Sequence, residues 1–298
     1  MFRLFFFTTI FCLQAMAGLH VVTTTPDLAG LVEIVAAGKS DVISLTKGTQ
    51  DPHQIEAKPS FMVKMRNADL VISQGLELES AWLNSLITGA RNPKINSSTP
   101  GNLELGPLLE PIEIPKGDVS RAQGDVHPGG NPHFQIDPVR MGNAAMLIAQ
   151  RMSELDHENA KLYTENSKNF QAKMAVKTKE WQKRLDKTGI KQVVTYHKTL
   201  SYFLDRFGIK GVMELEPKPG IPPTASHLLD VIATIKKDNI KLVLIENYFE
   251  DSVGEKLKKD IPDLTVVRVP ASVGGSPEIK STEDLIENLV KVFEAAKK

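Results

Sequence analysis

Between Pro138 and Pro217 the chain has no proline, and between Gly142 and Gly189 it has no glycine. The interval is rich in Ala, Lys, Glu and Gln and poor in β-formers, so helix is the state it can adopt. The pattern predicts one helix over 139–152, a break at Asp156 acting as N-cap, and a long helix from there to about Lys187. At 1.5 Å per residue the second helix would run roughly 45 Å, enough to lie along two domains. Tyr163, Phe170, Met174, Trp181 and Leu185 recur along it at 7-4-7-4 spacing. That stripe reads as core packing rather than as a cofactor box.

On both sides of this segment the chain alternates short β-rich runs with helical periodicity. In the first half strands are expected at 19–24, 41–45 and 69–73, with helices from Leu28 to Gly38 and over 58–68 and 79–90. In the second half strands are expected at 191–195, 212–215, 241–245 and 264–269, with helices over 198–207, 224–238, 253–259 and 281–296. Such alternation builds parallel sheets covered by helices, and ligands of these sheets gather at the carboxyl ends of the strands. The expected fold is therefore α/β, with two lobes, each a parallel β-sheet flanked by helices, joined by one long helix. The lobes are placed at 18–155 and 189–298 and the linking helix at 156–188. Residues 92–125 are rich in Pro, Gly and polar side chains and are expected to be irregular.

The amino terminus carries Arg3, an apolar run from Leu4 to Leu13, and Ala15-Met16-Ala17, the pattern of a cleavable export signal over 1–17. The run is too short to span a bilayer comfortably. Cleavage would remove Cys12, the only cysteine, so disulfides and thiolate chemistry are not expected in the exported protein. Lys plus Arg and Asp plus Glu balance at 36 each, and the basic residues are scattered rather than clustered with aromatics. That distribution gives no footprint for nucleic acid.

The segment His127-Pro128-Gly129-Gly130-Asn131-Pro132-His133-Phe134-Gln135-Ile136-Asp137-Pro138 cannot be the interior of a helix or strand. His133 within it, flanked by Asn131 and Asp137 as orienting groups, is built like a ligand. His53 follows the second expected strand in Gln50-Asp51-Pro52-His53, and His197 follows the strand at 191–195. All three should arrive at one sheet edge, two from the first lobe and one from the second. Three imidazoles suit Zn²⁺ better than the carboxylate-rich sets preferred by Mg²⁺ or Ca²⁺. Separations of 80 and 64 residues do not form a compact zinc signature, so each histidine also has the ordinary reading of a surface or satisfied core imidazole. His20, His157 and His227 are left with that ordinary reading.

Four features in order resemble the metal-specific (zinc/manganese) solute-binding receptors of bacterial ABC importers: Gln50-Asp51-Pro52-His53, then Gly130-Asn131-Pro132-His133 with Asp137-Pro138, then Asp156, Tyr163, Asn166, Phe170 and Trp181, and finally Tyr196-His197 with Tyr202-Phe203 and Phe207-Gly208. The similarity covers essentially the whole exported chain. It implies two lobes clamping one ion, with His53, His133 and His197 as ligands, and the histidine at the third place resembles the zinc branch rather than the manganese one. The family commonly adds an aspartate after the last strand, but this chain reads Val269-Pro270-Ala271-Ser272-Val273 there. Glu246, at the end of the strand at 241–245, is the nearest candidate for a fourth ligand. Its alternatives are a structural cleft carboxylate, with water completing the shell. Asp125 and His127 stand where zinc receptors carry a longer His-rich or acidic loop, so the 116–130 stretch is a candidate metal-collecting flap.

The resemblance implies a monomeric periplasmic protein, not an enzyme, that captures Zn²⁺ (alternatively Mn²⁺) and delivers it to an ABC permease in the inner membrane. Rival readings are a secreted zinc hydrolase, since three His plus water is also a catalytic shell, a manganese or iron receptor, and an adhesin on the same fold.

Overall fold

The computed structural model describes residues 18–117, 124 and 126–296. The export signal and Asp125 lie outside the described residues. Two four-stranded sheets form, both wholly parallel. The first has the order β2(Asp41–Ser44), β1(His20–Thr23), β3(Leu70–Ser73), β4(Asn102–Glu104). The second repeats that order with β6(Lys210–Glu214), β5(Gln192–Thr195), β7(Leu242–Glu246) and β8(Thr265–Val269). Central strands are short and apolar because helices cover both faces: β3 and β7 are buried along their whole length. In each sheet the order reverses between the first strand and the third, which opens a crevice at their carboxyl ends. His197 follows β5 at such a point and Glu246 ends β7 beside it.

The crossovers in the first lobe are α1(Pro26–Ala36), α2(Pro59–Arg66) and α3(Leu83–Ala90). Two expectations needed correction. The 92–125 region contributes the edge strand β4, in register with β3 through Val71↔Asn102 and Ser73↔Glu104; three residues are too few to show a period. The helix expected from residue 79 starts at Leu83. Glu79 is buried and accepts from the Thr24 hydroxyl (2.6 Å) and the backbone N–H groups of Gln74 (2.9 Å) and Gly75 (3.1 Å), so this stretch is spent tying turns to the end of β1.

The glycine-free interval forms α4(Pro138–Leu155) and α5(Ala160–Asp186). Asp156 does not cap α5 as its first residue. Its carboxylate bridges the turn instead, accepting from Asn159 N–H (3.3 Å), Asn159 Nδ2 (2.7 Å) and the Tyr163 hydroxyl (2.6 Å), and the helix begins at Ala160. The 27 residues of α5 span about 40 Å. Its stripe of Tyr163, Phe170, Met174, Trp181 and Leu185 is buried as expected.

The second lobe adds α6(Ser201–Arg206), α7(Ala225–Lys237), α8(Ser252–Asp260) and α9(Thr282–Ala296). One apolar cluster is continuous from Leu28, Val32 and Ile72 in the first lobe, through Ile148, Tyr163 and Trp181, to Phe203, Leu289 and Phe293 in the second. Polar ties reinforce it. Arg184 on α5 grips Glu287 and Glu294 of α9 at 2.8–2.9 Å, and Trp181 Nε1 donates to Glu287 at 2.9 Å. Among the described residues, no helix is long and apolar enough to cross a membrane.

Candidate metal centre

The three loops that meet between the lobes are each pinned by hydrogen bonds from neighbouring side chains. The His53 loop is held by Trp82, whose Nε1 donates to the Pro52 carbonyl at 2.9 Å. Asp51 Oδ1 accepts both the His53 backbone N–H (3.0 Å) and the ring at Nδ1 (2.9 Å). In the opening loop Asn131 Oδ1 accepts the backbone N–H of His133 at 2.9 Å, while Asn131 Nδ2 donates to Glu113 (2.9 Å) and the Lys198 carbonyl (2.9 Å). Asn131 therefore fixes the His133 backbone and joins it to the second lobe. Asp137 does not orient the ring. It caps α4 through Val139 N–H at 2.9 Å and binds Arg140 (2.6 Å) and Arg206 (2.8–2.9 Å), one guanidinium from each lobe. His197 is held at Nδ1 by Glu216 Oε2, 2.7 Å away and buried, and that oxygen also accepts Gly220 N–H at 3.1 Å.

These loops bring His53, His133 and His197 together. One nitrogen of each lies within 4.8 Å of those of the other two, and the ring centroids are 5.1, 5.5 and 5.4 Å apart. With Nδ1–H committed to a carboxylate, His53 and His197 carry their lone pairs on Nε2. Second-sphere carboxylates of this kind set the tautomer and raise the basicity of metal-binding imidazoles. His133 is 1% exposed, and neither of its ring nitrogens has a hydrogen-bond partner. Burial, and after it the neighbouring His53, His197 and His127, pushes its pKa well below the ordinary imidazole value. A buried donor pair without a partner is costly. A cation that accepts the ring's one lone pair satisfies one of the two nitrogens, whereas a second proton is disfavoured there.

Glu246 is fully buried at the end of β7, with the Thr199 hydroxyl and the His197 backbone nearest and no partner of good geometry on either oxygen. Burial raises its carboxyl to about 8. It falls outside the group whose ligand atoms are mutually within 4.8 Å. The segment where the resemblance places an aspartate is instead bonded to the first lobe: Gln135 Nε2 donates to the Ala271 carbonyl (3.2 Å), Val273 N–H donates to Asp27 (2.9 Å), and the Ser272 hydroxyl bonds the same carboxyl. His127 reaches the cluster from the turn before His133, against His53. Of the remaining histidines, His20 pairs with Asp41 on the surface and His227 with the Glu214 carbonyl.

Three residues that shape the site were not singled out from the sequence. Asp51, two residues before His53, had a local signal in Asp-Pro-His. Glu216 could have been found only from the pairing of β6 with β5, since 19 residues separate it from His197. Asp27 bonds a segment 245 residues away and had no sequence signal.

The family model described as zinc-uptake complex component A, periplasmic, matches residues 21–296. The chain belongs to this family. Members similar to it include the zinc-binding lipoprotein AdcA of Streptococcus pneumoniae, 23% identical over 285 residues, 95% of this chain and 56% of that one. The high-affinity zinc uptake system protein ZnuA of Bacillus subtilis is 25% identical over 251 residues, 84% of this chain and 77% of that one. A crystal structure of ZnuA superposes with a TM-score of 0.77 at 20% identity, covering 94% of this chain and 100% of that one. The chain spans just over half the length of AdcA. The zinc-uptake family thus shares its two-lobed parallel architecture with this chain.

Proposed function

We propose that this protein captures Zn²⁺ between its lobes with His53, His133 and His197 and hands it to an ABC permease in the inner membrane. The observation that carries the reading is His133: a buried imidazole with two unpartnered nitrogens, beside two imidazoles whose Nδ1 positions are held by carboxylates, leaving Nε2 as the lone-pair nitrogen. Three nitrogen donors favour zinc over manganese, which prefers oxygen-rich sets. Residues 1–17 act as a cleaved export signal, the protein works as a monomer in the periplasm, and the units are the lobes 18–155 and 189–298 with 156–188 between them. Glu246 is the carboxylate that the strand order brings nearest the three histidines, and it would have to lose its proton before it could bind the ion. A hydrolytic role is disfavoured because Glu246, the general base it would use, is wholly buried with a carboxyl at about 8.

The test is a zinc titration of metal-free protein by calorimetry with a competing chelator, repeated with Mn²⁺. One zinc per chain is expected. His133→Ala should weaken binding by more than the roughly 100-fold that marks the upper range for outer-sphere partners. Unchanged zinc affinity in that variant, or manganese bound in preference to zinc, would refute the reading.

A further inference from the structure

The ring of His127 has no place in the three-histidine set, yet it stands against it. Its centroid is 5.4 Å from that of His53 with the planes tilted by 31°, and the two Nε2 atoms are 3.3 Å apart. Asp51 takes Nδ1 of His53 at 2.9 Å, which leaves the His53 lone pair on Nε2, facing His127. Without an ion, His127 Nε2–H can donate to that lone pair; with its proton on Nδ1 instead, His127 presents a second lone pair at the same contact. A shared metal ion makes that contact favourable. With Zn–N near 2.0–2.1 Å and a tetrahedral angle, two ligand nitrogens sit about 3.3–3.4 Å apart, the separation seen here.

The turn is built to hold His127 there. Gly130 N–H donates to the His127 carbonyl at 3.1 Å, closing His127-Pro128-Gly129-Gly130. Gly130 has a φ of +106° and a Cβ there would come within 2.8 Å of the Ile112 carbonyl, so glycine is needed at that place, while Gly129 lies against the end of the Leu76 side chain. A cavity of about 60 Å³ is lined by His127, His133 and His197 together. His127 also lies outside the mutual 4.8 Å group, as Glu246 does, so either must shift to complete a shell. The two differ in what the shift disturbs. Glu246 is paired on β7 with Val269 of β8, whereas His127 sits on a turn.

We propose that His127 supplies the fourth donor to the bound ion, giving a shell of four imidazoles with no carboxylate. This rests on the three-histidine reading above and deepens it. A shell of four neutral nitrogens strengthens the preference for zinc over manganese and replaces the aspartate that Ala271 cannot provide.

The test is zinc-edge X-ray absorption on the zinc-loaded full-length protein, with chelator competition for affinity. The parent is expected to show four imidazole nitrogens. His127→Ala should show three nitrogens and an oxygen and lose at least about tenfold in affinity, the lower end of what outer-sphere partners cost. Glu246→Gln should keep the parent spectrum. Circular dichroism of the metal-free variants checks the fold, and His127→Gln, closer in size, replaces the alanine variant if that one does not fold. A His127 variant with the parent spectrum, or a parent with three nitrogens and an oxygen, overturns the fourth imidazole. If zinc still binds one per chain and depends on His133 in that case, three-histidine capture survives. Absence of zinc binding in the parent overturns both.

Discussion

Glu216 touches no candidate ligand atom, yet its removal should be felt at the ion. Its Oε2 is 2.7 Å from His197 Nδ1, with the two side chains only 5% and 6% exposed, so water does not replace the carboxylate if it is deleted. Glu216→Ala leaves a buried N–H without an acceptor, which costs about 1–3 kcal/mol in the metal-free fold. It also frees the ring to swing and to exchange tautomers, putting the proton on the nitrogen meant for zinc. Loss of such a partner typically costs 10–100-fold in metal affinity, about 1.4–2.7 kcal/mol. Glu216→Gln keeps an oxygen acceptor and loses only the charge, so its effect should fall at the low end. The assay is competition against a chromophoric zinc chelator at fixed pH and salt, paired with thermal melts of the metal-free variants. If Glu216→Ala binds zinc within twofold of the parent, the carboxylate does not orient His197 and the reasoning fails.

Three further outcomes are expected. Burial pushes the Asp27 carboxyl up to about 6, so the folded state keeps a proton that the unfolded chain releases from about pH 4, and stability should fall as pH rises across that window and level off above it. Asp27→Asn should flatten this slope and gain up to about 3 kcal/mol at pH 7; melts from pH 4 to 8 that keep the parent's slope would count against it. Asp137→Ala leaves Arg140 and Arg206 facing a void and should destabilise by about 3–5 kcal/mol in urea unfolding, with a cost under about 1 kcal/mol speaking against a buried ionic tie. Arg184→Met breaks a half-exposed bidentate contact between α5 and α9, so a smaller loss, about 1–2 kcal/mol, is expected by the same method; no change would show that the apolar stripe alone seats α9.

The long helical interval and the βα alternation were legible because they rest on periodicity and on absent breakers, which are local properties. His53 and His197 were legible as loop residues after strands, since topology sends such residues to one edge, and His133 from the Pro- and Gly-rich loop that holds it. Other features depend on pairings that no window of sequence contains. β4 is three polar-flanked residues whose only evidence is its neighbour β3. The role of Asp137 was misread because its guanidinium partner Arg206 lies 69 residues away. His127, set aside as a flap residue, stands against His53 across a 74-residue separation. The three histidines could be picked out one by one along the chain, while the groups that orient them appear only in the three-dimensional packing.

The apolar cluster that runs unbroken from Ile72 to Phe293 bears on how this molecule comes apart. Two lobes with private cores could melt one after the other, leaving a half-folded chain with an exposed seam. Each lobe also has a smaller cluster of its own, around Trp82 in the first and Ile245 in the second, but the larger shared core ties the two melting events into one, so calorimetry should record a single transition whose van't Hoff and calorimetric enthalpies agree. Newly made chains then have no long-lived half-folded form to offer to proteases. The same coupling makes any ligand that bridges the lobes a stabiliser of the whole polypeptide, so occupancy and lifetime rise together.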